Sequence, residues 1–153
     1  MTDKTNEEKL IEYIYNESFN DAYNLYKRDE IKPEVLIEIL TNVQIDHGTD
    51  TVFLSFALVL AQREKTLMAN KLVVSLLVNI NVDLPGSYFL AYEYHKKVLQ
   101  ENPEDLDQLY FTLFFYDVPD EVVLLPEAKR IARKLREKGI KSDKIDKILD
   151  KES

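Results

Sequence analysis

Apolar residues recur at three- and four-residue steps along almost the whole chain, and only three glycines interrupt them. That spacing puts one apolar stripe on each successive helix, and no alternating period-two run competes with it. Pairs such as Val73-Val74 and Val122-Val123 sit inside helical stripes, although the β-branched richness of 66–80 is the strongest argument for strand anywhere in the chain. The expected fold class is all-α. At 153 residues the chain fits a single domain spanning 1–153, long enough to bury roughly 70% of its unfolded surface without a staple.

Start and stop signals divide the pattern. Thr5-Asn6-Glu7-Glu8 has capping-box spacing, so a helix begins near Asn6 with Leu10, Ile11 and Ile14 as its stripe. Ser18 offers a cap for a helix through Lys27 that buries Phe19, Ala22, Tyr23 and Tyr26. Pro33 opens a third helix, with Val35, Leu36, Ile39, Leu40 and Val43 turned to the core and Gly48 near its end. Thr49 or Asp50 caps the next, to about Gln62, and Thr66 to Ile80 follows. The breakers Asp83, Pro85, Gly86 and Ser87 precede a helix from Tyr88 to Glu101. Asn102-Pro103-Glu104-Asp105 is the strongest helix start, and its aromatic helix to Tyr116 belongs deep in the core. Pro119 and Pro126 predict a short helical piece and then a helix from Pro126 to Lys138, closed by Gly139. Ser142 caps a last helix ending near Asp150.

Taken in pairs, these helices form units at about 19–45, 50–80, 87–116 and 119–150, a spacing typical of stacked helical hairpins. Val118-Pro119-Asp120-Glu121-Val122, followed by Ala128, Ala132 and Leu135, resembles a HEAT repeat. The resemblance implies a short α-solenoid of hairpins. A compact orthogonal helix bundle produces nearly the same pattern and stays open as the alternative.

Charge is uneven. Residues 1–121 hold 22 Asp and Glu against 10 Lys and Arg, and residues 122–153 hold 6 against 10, so an acidic body ends in a basic tail. An acidic body repels nucleic-acid phosphates and attracts a basic protein. There is no cysteine, which excludes disulfides and thiolate chemistry and fits a reducing cytoplasm. Met1 to Glu8 lacks the basic and apolar pattern of a secretory signal, and neither of the most apolar stretches, 51–61 and 67–82, reaches the roughly 20 residues of a membrane span.

Little points to catalysis or a cofactor. His47 and His95 are the only imidazoles, and neither has a second ligand at helical spacing. The isolated glycines form no phosphate loop, and no nucleophile elbow surrounds any serine. Paired acids such as Glu104-Asp105 sit at helix starts, where they complement the dipole. The expectation is therefore a non-enzymatic chain without metal or cofactor.

Two features suit binding instead. Nine tyrosines and no tryptophan occur, mostly in neighbouring pairs. Residues two apart on a helix, such as Tyr92 and Tyr94, point about 160 degrees apart, so one can be core and the other surface. The second feature is an amphipathic basic helix, with Lys129, Arg130, Arg133 and Lys134 opposite Ala128, Ile131, Ala132 and Leu135. It suits nucleic acid, anionic lipid or the acidic face of a second copy, or else is simply the solvated side of a terminal unit. Size, acidity and helical-hairpin build resemble small bacterial immunity proteins, which neutralise toxin domains. That resemblance implies a basic protein partner held by an acidic, tyrosine-bearing surface, with Asp46, Asp50, Asp83, Tyr92, Glu93 and Asp117, near helix junctions, as the residues that engage it. A nucleic-acid-linked regulator, using the basic helix or imitating DNA, is the alternative.

Overall fold

The computed structural model describes residues 3–47 and 51–152, with the side chains of 29–30 and 44–47 left aside. Every regular element among the described residues is helical, as the periodicity requires. The helices gather into two compact units, Met1–Ser87 and Tyr88–Ser153.

The first unit opens with α1 (Asn6–Tyr15), held by the full capping box: Thr5 accepts from the Glu8 amide while the Glu8 carboxylate accepts from the Thr5 amide. Helix α2 (Phe19–Leu25) is shorter than the sequence implies. Ser18 makes no side-chain cap, and from Tyr26 to Glu30 the chain widens into a π-helical turn. Then come α3 (Pro33–His47), α4 (Val52–Glu64) and α5 (Leu67–Asn79). The Gly48 and Asp50 boundary signals fall outside the described residues.

Helices α4 and α5 pack on one another as a hairpin, turned by Lys65 in the left-handed region (φ 51°). Together they supply the centre of the core, with Phe53, Phe56, Leu60, Leu72, Leu76 and Leu77 all closed to solvent. This burial decides the fate of the Val-rich α5. Helical periodicity and the Thr66 hydroxyl accepting from the Ala69 amide outweigh β propensity. Helix α1 packs on α2 and α4, and α3 packs on α5. A polar latch ties α2 to the end of α4: the Tyr23 hydroxyl donates to Glu64 at 2.5 Å, Lys27 pairs with the same carboxylate, and Arg63 lies over the Tyr23 ring.

The second unit comprises α6 (Ser87–Glu101), α7 (Leu106–Thr112), α8 (Phe114–Asp117), α9 (Leu125–Glu137) and α10 (Asp143–Asp150). Three sequence expectations change here. First, the start assigned to Asn102 moves to Asp105, whose carboxylate accepts from the Asp107 and Gln108 amides at 3.1 Å, while Asn102 to Glu104 only turn the chain. The carboxylate that accepts two first-turn amides, at the positive end of the helix dipole, fixes the start at Asp105. Second, the expected helix to Tyr116 breaks at Leu113. The Thr112 hydroxyl bonds back to the Gln108 carbonyl, and the Leu113 amide reaches only to Tyr110. Of its aromatics, Phe115 is fully buried, whereas Phe111 and Phe114 are half-exposed. Third, the stretch from Pro119 to Leu124 is an irregular loop rather than a helical piece. Glu121 takes a left-handed φ of 49°, and the Val123 amide donates to the Phe115 carbonyl.

Helix α9 lays Ala128, Ile131, Ala132 and Leu135 into the core and pairs with α7 and α10. Gly139 at φ 87° closes it, and Ser142 caps α10 through the Ile145 amide.

Candidate interaction surfaces

The sequence candidates are scattered in role. Asp46 lies on the backbone of α3 with its side chain outside the described residues, and Asp50 lies outside them altogether. Asp83 is exposed in the loop after α5, in the first unit. The other three, in the second unit, already have local partners. The Tyr92 hydroxyl donates to Glu127 at 3.0 Å, Glu93 pairs with Lys96 at 2.7 Å, and Asp117 pairs with Lys144 at 2.5 Å. Desolvation, and then the neighbouring Glu127 carboxylate, push the Tyr92 phenol up to about 12. Tyr94 is buried and Tyr92 half-buried, so that pair divides as its spacing implies.

The basic helix is largely occupied from within. Arg130 pairs with Glu127 at 3.7 Å, Lys134 and Lys138 share Glu104 at 3.3 and 3.7 Å, and Arg136 meets Asp146 at 2.5 Å. Lys129 donates to the Lys151 carbonyl. Arg133 is exposed and holds none of these acids. It lines a shallow depression with Leu125, Pro126 and Lys129. Beside that lies an open hollow of about 670 Å³, walled by Val118, Pro119, Val123 and the well-exposed Leu124.

His95 is closed to solvent at the heart of the second unit, between Phe111 and Phe115. Its Nε2 lies 2.9 Å from the Thr112 hydroxyl. That hydroxyl gives its proton to the Gln108 carbonyl, so it can only accept from the ring. The proton therefore sits on Nε2, and Nδ1 is left buried without a partner. Burial pulls the imidazole down to about 4, against a smaller upward pull from the Gln108 carbonyl. This is a neutral core histidine. No group of three or more metal-ligating side chains forms among the described residues.

One surface escaped the sequence reading. Between α1 and α3, a depression of about 260 Å³ is lined by Glu7 and Ile11 from one helix and by Val35, Glu38, Ile39, Asn42 and Val43 from the other. Leu36 and Leu40 on α3 are fully buried, but Ile11, Val35 and Val43 remain half-exposed. The stripe on α3 is thus two lanes wide, and the core covers one. Glu7 and Glu38 stand exposed there, and no ion pair among the described residues holds either one. The available signal was Glu38 and Asn42 falling at helical spacing within the second lane, a polar edge to an apolar face.

No protein-family model, no curated protein and no solved structure matches the chain.

Proposed function

We propose that the chain is a non-enzymatic protein-binding module whose first unit captures a basic protein partner. The observation that carries this reading is the depression between α1 and α3, where half-covered Ile11, Val35 and Val43 lie between the exposed carboxylates of Glu7 and Glu38. Uncovered apolar side chains bind by leaving water, and the flanking charge selects the sign of the partner and speeds encounter. In its fullest form the role is that of a cytoplasmic immunity-type protein neutralising a basic toxin domain. Glu93 and Asp117 are weaker contributors, because Lys96 and Lys144 already neutralise them. Asp83, exposed and in no such pair among the described residues, stays a candidate. Nucleic-acid binding through α9 is disfavoured by the same criterion, since its cations are mostly paired with Glu104, Glu127 and Asp146.

Affinity capture from a native lysate, followed by mass spectrometry, supplies the partner, which must be basic. Reversing both rim charges (E7K with E38K) is then expected to slow association with that partner about 10-fold at low salt, with a smaller effect at high salt. An unchanged association rate would remove the assignment.

A further inference from the structure

We infer that the depression between α1 and α3 receives a short amphipathic helix of the partner, bearing an apolar ridge flanked by Lys or Arg; this rests on the protein-binding reading above. The walls of the depression are both α-helices, and what lines it is side chains. Inside a helix each backbone amide and carbonyl is already paired, so the walls offer no ladder to an extended segment. A helix brings its own backbone hydrogen bonds and needs only side-chain contact.

The spacing agrees. Val35, Ile39 and Val43 repeat at four-residue steps along α3, and Glu7 and Ile11 do so along α1. Val35 to Val43 spans eight residues, about 12 Å or two turns of helix. Ridges at four-residue steps form grooves that accept the i, i+3, i+4, i+7 ridge of another helix. The third requirement is charge. Glu7 rises from the α1 wall and Glu38 from the α3 wall, so a helix lying between them meets a carboxylate on either flank. Its complement is an apolar ridge with cations on both sides.

The test uses the full chain and three labelled peptides of equal charge: an amphipathic helix with leucines at i, i+3, i+4 and i+7 and flanking lysines, an isomer interrupted by a central proline, and a version with the leucines replaced by glutamine. Fluorescence anisotropy is expected to show the helical peptide binding at least about 10-fold tighter than either control. Methyl shifts in the nuclear magnetic resonance spectrum should concentrate on Ile11, Val35 and Val43. E7K with E38K, checked for retained helicity by circular dichroism, should cost about 10-fold in affinity at low salt. Equal binding of the helical and proline-interrupted peptides, or shifts centred elsewhere, overturns the inference. If the basic partner still depends on Glu7 and Glu38 while the helical peptide shows no advantage, the helix-docking inference falls and the protein-binding reading stands. If the partner is indifferent to both charges, both fall.

Discussion

Acidifying the solution from pH 7 to pH 5 is expected to remove about 2 kcal/mol of folding stability through His95 alone. In the folded chain the imidazole is enclosed by Phe111 and Phe115 and held neutral, with its affinity for a proton lowered from the ordinary 6.5 to about 4. In the unfolded chain it titrates near its ordinary value. Above pH 6.5 neither state is protonated at this ring, and the stability is fully present. As pH falls below 6.5 the unfolded chain takes up a proton that the folded chain refuses, and stability drops by about 1.4 kcal/mol per pH unit. The loss levels off near pH 4 at a total of about 3 kcal/mol. Carboxylates that gain partners in the fold, such as Glu64 and Glu104, are held below their usual range. They also withdraw stability in acid, so the histidine must be isolated. Urea unfolding of the wild type and of His95→Gln, measured from pH 7.5 to pH 4.5, supplies the contrast. Glutamine cannot titrate and can still donate to Thr112. The variant is expected to start less stable and to lose about 2 kcal/mol less between pH 7 and pH 5. Parallel curves for the two proteins over that interval would refute the account of a buried neutral imidazole.

Two further outcomes follow from the second unit. Asp105→Ala strips the carboxylate that accepts from the Asp107 and Gln108 amides and should cost about 1 kcal/mol in urea unfolding, whereas Asn102→Ala should cost markedly less. Tyr92, half-buried and bonded to Glu127, should ionise near pH 12, so phenolate absorbance should show a late component missing in Tyr92→Phe. Its fold-linked stability is present below pH 10 and lost as pH rises from 10 toward 12, because the fold favours the neutral phenol.

The local code of this chain was legible because its signals act over four or five residues. The capping box at Thr5, Pro33 at the start of α3, the Ser142 cap and the left-handed Gly139 depend either on a residue's own backbone limits or on a side chain meeting a backbone group one turn away. Where two local signals compete, the sequence alone could not rank them. Asn102 and Asp105 are both good caps, and in the fold it is the Asp105 carboxylate that accepts from the Asp107 and Gln108 amides. The loop from Pro119 to Leu124 shows the other failure. Its residues suit a helix, but a backbone bond from Val123 to Phe115 and the left-handed Glu121 hold it open.

The basic face of α9 was legible as a stripe, yet its pairing with Glu104 and Asp146 reaches residues 30 and 10 positions away, beyond the spacing of one helix face, and only the packing of α9 on its neighbours could bring them together. The candidate surface divides in the same way. By itself the sequence determined that the described chain is helical, which faces are apolar and that the body is acidic, since each is a property of spacing or composition. Tertiary structure decided which lane of an apolar face meets a neighbour. Leu36 and Leu40 of α3 are closed to solvent, whereas Val35 and Val43, equally apolar and on the same helix, were left in the depression between α1 and α3 beside Glu38. Hydrophobicity states what a side chain gains by leaving water, and only the arrangement of the other helices determines whether anything covers it.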